Sequence, residues 1–132
     1  MTYWKDALLI GVPTIDAQHR KLIAAIDALM AACKKGEGRA AIDKTLAFTL
    51  SYTKEHFAAE EKLQAEYAYP GMAAHKRLHT EFLATVSELV GEYEATGPTV
   101  ALVGKLNKSL VGWVVHHIGT EDKKLGEYIK SR

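Results

Sequence analysis

Core-type positions step by three and four residues along four long stretches of the chain. The first stretch runs His19, Leu22, Ile26, Leu29 and Cys33. The second runs Ile42, Leu46, Thr49, Thr53, His56, Glu60, Leu63 and Tyr67. The third runs Met72, His75, His79, Phe82, Val86, Leu89 and Tyr93, and the fourth Val103, Leu106, Leu110, Trp113 and His117. Residues three and four apart share one face of an α-helix, so each series is a stripe turned toward neighbouring helices. Pro and Gly fall between the stretches, at Gly11, Pro13, Gly36, Gly38, Pro70, Gly71, Gly97 and Pro98, and end each one. This predicts helices over 14–35, 38–68, 72–96 and 99–118, a short one over 120–130, and an N-terminal arm before them. Thr14 and Thr99 are the candidate N-caps, since a short side-chain oxygen there meets a free backbone N–H. Helices joined by short loops predict an all-α fold, an antiparallel up-down-up-down four-helix bundle forming one domain over 1–132.

Composition narrows the partners rather than the fold. The 132 residues are 48% hydrophobic and 25% charged, with 17 basic and 16 acidic side chains and a net charge of +1. That balance gives no nucleic acid or acidic membrane a reason to bind. The single cysteine, Cys33, excludes an internal disulfide and a cysteine-rich zinc site, and suits a reducing compartment. The opening "MTYWKDALLIGVPTIDAQH" lacks the features of a signal peptide, and "ALLIGV" is too short to cross a bilayer. The expectation is a cytoplasmic monomer.

The polar residues on the stripes are what a core does not need. His19, His56, Glu60, His75, His79 and His117 occupy positions that should point inward. His75 and His79 have the i,i+4 spacing that lets two imidazoles share one metal, and His56 stands in the same relation to Glu60. In "WVVHHIGTED" the stripe selects His117 over His116, which is rotated about 100° away and reads as a boundary or surface residue. Asp122 follows His117 by five residues, about 140° round a regular helix. A π-type turn, or a break near Gly119, would bring the two together, so irregular backbone is expected over 117–122. Glu61, Glu66 and Glu121 read as solvent-facing charges. The partners that orient the histidines are expected to be backbone carbonyls.

In an up-down bundle all seven residues fall at one end. Burying five imidazoles and two carboxylates there without a compensating partner is costly. Seven donors exceed one metal and suit two. Imidazole mixed with carboxylate selects iron, manganese or zinc over calcium or magnesium. Counting about twelve positions on two octahedral ions, with the carboxylates and an oxide or hydroxide bridging, leaves about one open for a small ligand. No general acid or base is left over inside the bundle, which favours binding over catalysis.

The order His19, His56-x-x-x-Glu60, His75-x-x-x-His79, His117-x-x-x-x-Asp122, with "DAQH", "AAHKRLH" and "HHI" in context, resembles the hemerythrin family. Within that family it is similar to the single-domain bacteriohemerythrins over essentially the whole chain. The resemblance implies a non-haem di-iron centre, oxo- or hydroxo-bridged, that binds O2 reversibly for carriage, storage or delivery. It implies that His75, His79 and His117 hold one iron, that His19 and His56 hold the other, and that Glu60 and Asp122 bridge them. It also implies an apolar O2 pocket lined by Trp113, Val114, Ile118 and Ile15. A di-iron enzyme reducing peroxide or nitric oxide, and an O2- or iron-sensing module acting through a separate partner, remain the alternatives.

Overall fold

A computed structural model describes residues 2–36 and 38–132. The architecture is all-α, with no strand among the described residues. Helix α1 spans Pro13–Lys35, α2 Arg39–Glu66 and α3 Met72–Thr96. The fourth rod is longer than its pattern suggests. Residues 100–130 run without interruption as α4 (Val100–Leu106), a π-segment (Asn107–Gly112), α5 (Trp113–His117), a second π-segment (Ile118–Asp122) and α6 (Lys123–Lys130). The anticipated irregularity at 117–122 is therefore a π-turn and not a break, and the short C-terminal helix is the last part of this rod. A π-turn closes i→i+5, so neighbouring residues both reach the core where it occurs. Leu110 and Val111 are both buried at the first segment, and His117 and Ile118 at the second.

The stripes predicted from spacing form the core. Ile26, Leu29 and Leu102 are fully buried, and Ile42, Leu46, Phe82, Val86 and Leu110 are nearly so. Each large aliphatic enclosed this way contributes about 1.5–3 kcal/mol. The second stripe departs at its end, where Tyr67 is exposed and Gln64 is fully buried instead.

Helix ends follow local chemistry. Gly36 closes α1 in the left-handed region at φ 67°, a conformation that costs glycine little. Thr14 is not the N-cap of α1. Pro13 takes the first helical position, where its fixed φ suits the helix and its missing N–H is not needed, which makes Val12 the cap. The carboxylate of Asp16 instead accepts from the N–H groups of Ile10 (2.8 Å) and Gly11 (3.2 Å), and fastens the N-terminal arm to α1. Leu8, Ile10 and Val12 of that arm are buried, and the arm crosses α6 at Gly126. Thr99 does cap α4, its Oγ1 accepting from the N–H of Leu102 at 3.1 Å. Thr99→Ala is expected to cost about 1 kcal/mol, measured as a lower urea midpoint with an unchanged m-value.

Candidate metal centre

The C-terminal half of α2, the start of α3, the start of α1 and the α5–π junction meet at one end of the bundle. They bring His19, His56, Glu60, His75, His79, His117 and Asp122 together, each at most 4% exposed. All seven residues expected from the sequence converge, and His116 lies on the exposed face. The second π-segment is what returns Asp122 to the side of His117, with Oδ1 at 3.1 Å from His117 Nε2.

The donors form two groups, Glu60, His75, His79, His117 and Asp122 in one and His19, His56, Glu60 and Asp122 in the other. Both carboxylates belong to both groups, and each divides its oxygens between them. Glu60 Oε1 lies 2.7 Å from His75 Nε2 and 3.3 Å from His79 Nε2. Its Oε2 lies 3.4 Å from His56 Nε2 and 3.7 Å from His19 Nε2. Asp122 Oδ1 lies 2.9 Å from His75 Nε2, and Oδ2 2.9 Å from His19 Nε2.

These separations test whether metal fits. Two atoms each about 2.1 Å from one ion and at right angles are about 3 Å apart, which is the spacing observed. His19 Nε2, both oxygens of Glu60 and Asp122 Oδ1 are fully buried, yet none makes a hydrogen bond of acceptable geometry. Donor atoms this close that do not point at one another have lone pairs aimed at shared points between them. Leaving them so is expensive, and bound cations would satisfy them. The residues present fit bound metal.

Electrostatics within the cluster is equally directed. Burial alone would lower the pKa of His19 and His75, but the close contacts and negative charge of Asp122 and Glu60 outweigh it and raise both to about 9. For His56 burial prevails, and its pKa falls to about 4. Burial and mutual repulsion push Glu60 up, but its contacts with His19, His75 and His79 bring it down to about 2. Burial also pushes Asp122 up, and His117, His19 and His75 hold it well below the usual carboxylate range.

Stability of the metal-free protein follows from these signs. The raised pKa values of His19 and His75 stabilise the fold below pH 6.5, and that contribution is lost as pH rises toward 9. The lowered His56 opposes folding once pH falls below 6.5 toward 4, and the carboxylate contributions fade from about 4.5 downward. The melting temperature of the metal-free protein is expected to peak near pH 6.5 and fall on both sides. Metal must displace protons from His19 and His75. Uptake at pH 7 is therefore expected to release about two protons per chain, measured by calorimetry in buffers of different ionisation enthalpy.

The partners outside the cluster differ from expectation, because side chains and not backbone carbonyls meet the outer ring nitrogens. Gln18 Oε1 lies 2.7 Å from His56 Nδ1, and Glu61 Oε2 lies 2.9 Å from His79 Nδ1. Glu61 is thus no free solvent charge, with 23% of its side chain exposed, whereas Glu66 faces solvent and Glu121 pairs with Lys124 at 3.2 Å. A hydrogen bond at the outer nitrogen fixes both tautomer and ring orientation. Aromatic rings fix the same planes. Phe57 lies flat on His79 at 3.8 Å, Trp113 flat on His117 at 4.3 Å, and Phe82 flat on Trp113 at 4.0 Å. Trp113 is half-buried, whereas Ile15, Val114 and Ile118 are each 2% exposed. Among the described residues no helix is long and apolar enough to cross a membrane.

Residues 10–129 match the sequence model of the Hemerythrin HHE cation binding domain. The chain is 35% identical to a bacteriohemerythrin of Stenotrophomonas maltophilia (strain R551-3), over 97% of this chain and 81% of that protein. It is 34% identical to a bacteriohemerythrin of Pseudomonas paraeruginosa, over 90% and 75% respectively. With a myohemerythrin of Riftia pachyptila it shares 29% identity over 92% of this chain and 88% of that one.

Proposed function

The chain belongs to the hemerythrin family, and on that premise we propose that it binds O2 reversibly at two iron ions held in this cluster. Two irons bound there would supply the redox-active centre that reversible O2 binding needs. His75, His79 and His117 would hold one ion and His19 and His56 the other, with Glu60 and Asp122 offering oxygens to both. The observation that carries this reading is the uneven division of the donors. Both carboxylates are common to the two groups, but three histidines stand on one side and two on the other. The two-histidine side is the one with coordination to spare, and a small ligand goes where a position is open.

The surrounding side chains suit holding a small apolar gas. Ile15, Val114 and Ile118 are buried aliphatics that would line the space beside the cluster, and the indole of Trp113 covers His117. A wall of this kind excludes water and keeps protons from the site, which discourages side reactions. Gln18 holds the His56 ring and Glu61 the His79 ring. The first partner is a neutral amide and the second an anion. The anionic acceptor makes the stronger hydrogen bond and so holds the His79 ring the more firmly.

The test is anaerobic loading with Fe(II), followed by air and then argon, with visible absorption recorded throughout. A coloured form that fades under argon and returns in air is the expected result. A lasting ferric spectrum that never cycles, with steady turnover of peroxide or nitric oxide by an added reductant, would replace this reading with an oxidative or reductive enzyme.

A further inference from the structure

Four of the five cluster histidines have an outlet for the outer ring nitrogen, and His19 has none. His56 and His79 meet Gln18 and Glu61, and His75 and His117 are each 4% exposed and keep an edge at the surface. His19 is completely enclosed, and its Nδ1 has no hydrogen-bond partner. A second orphan lies in the same end of the bundle. Gln64 is also completely enclosed, and neither its Oε1 nor its Nε2 is bonded. A buried amide left wholly unsatisfied is among the costlier defects a fold can carry.

We propose that Gln64 is the outer partner of His19, its carboxamide oxygen accepting from Nδ1–H either directly or through one enclosed water. The inference rests on the metal-binding reading above and extends it to a residue that no stripe or motif marks.

Register supports the pairing. Gln64 is one helical turn beyond Glu60 on the same face of α2, and Glu60 Oε2 is 3.7 Å from His19 Nε2. The step from Glu60 to Gln64 runs toward the C-terminus of α2, hence toward the N-terminus of antiparallel α1. A helical side chain leans toward the N-terminus of its own helix, so the His19 ring leans into the layer that Gln64 enters. The chemistry is complementary as well. When Nε2 faces a metal, Nδ1 carries the proton and needs an acceptor, and Gln64 Oε1 is an acceptor with nothing to accept. A turn of the Gln64 side chain, or one water between them, closes the bond.

The test compares the wild-type chain with Gln64→Met, which keeps the shape and removes the amide, and Gln64→Glu, which restores an acceptor. Iron loss from the Fe(II)-loaded proteins to a chelator is measured beside the shifted, exchangeable imidazole N–H proton signals. The expected result for Gln64→Met is iron loss about tenfold faster, with one N–H signal moved and exchanging faster while the others hold. Its metal-free melting temperature should be unchanged or higher, and Gln64→Glu should recover iron retention. Unchanged iron loss and unchanged N–H signals in Gln64→Met would overturn the pairing while leaving the metal site standing. A wild-type chain that takes up no iron would overturn both.

Discussion

Glu60→Ala is expected to hold at most one iron per chain and to show no reversible oxygenated spectrum. Glu60 and Asp122 are the residues whose atoms face both halves of the cluster, and Glu60 reaches four of the five histidines. Removing it withdraws an anionic donor from each metal position at once. Outer partners alone are worth about 10- to 100-fold in metal affinity, so the loss of a shared direct donor should exceed about 100-fold. The metal-free fold should suffer too. Taking away one member of a buried charged set costs about 3–5 kcal/mol, and the pKa values of His19 and His75 should drop as they lose a carboxylate that raises them. Glu60→Gln separates the effects, because it keeps the volume and an acceptor while removing the charge. Iron is counted per chain after anaerobic loading and desalting. Two irons retained in Glu60→Ala would refute the shared-carboxylate assignment.

Gly126→Ala is expected to destabilise the protein although it lies outside the cluster. A Cβ added there would sit 2.3 Å from the carbonyl oxygen of Ile10 and 2.9 Å from its Cβ. Backbone cannot rotate out of the way, so the N-terminal arm must lift. Alanine gains about 1 kcal/mol over glycine in a helix, but overpacking of this kind costs about 1–3 kcal/mol, and here also strains the Asp16 bonds to Ile10 and Gly11. The net effect should be a melting temperature lower by roughly 4 °C per kcal/mol. Lifting the arm uncovers Leu8, Ile10 and Val12 and lets water toward Ile15, so the oxygenated protein should oxidise several-fold faster. Gly91→Ala is the control, since nothing lies within 4 Å of its added Cβ. It should be neutral or stabilising.

What spacing could reveal is whatever repeats along one helix. The three- and four-residue steps located α3 at 72–96 and α1 and α2 to within a residue or two at each end. The five-residue gap between His117 and Asp122 called for a π-type turn or a break near Gly119, and the structure has the former at Ile118–Asp122. The other wide turn, Asn107–Gly112, left no trace, because Leu106, Leu110 and Trp113 keep a regular spacing through it. Gln18 and Glu61 were illegible for a different reason. Each is a polar residue next to a cluster residue in sequence, rotated about 100° from it, which ordinarily means a solvated position. What gives them roles is the neighbouring helix, since their histidines are 38 and 18 residues away in sequence. Gln64 displaced Tyr67 from the core because a strict seven-residue repeat drifts about 20° per heptad around a straight helix.

The sharing of two carboxylates between the two donor groups also has a consequence for the chain as a polymer. With ions held there, residues from His19 to Asp122 would be crosslinked at a single node that takes a side chain from every rod. A closed loop of about a hundred residues removes about 5 kcal/mol of entropy from a disconnected chain when a disulfide makes it, and a metal node acts on the same freedom. The helices are then tied at one end only. Fluctuations large enough to admit a protease should start at the opposite end, where α3 gives way to α4 at Gly97, and complete unfolding should wait on metal release. The lifetime of the loaded protein in denaturant would thus be set by ligand exchange at the node rather than by the packing of the core.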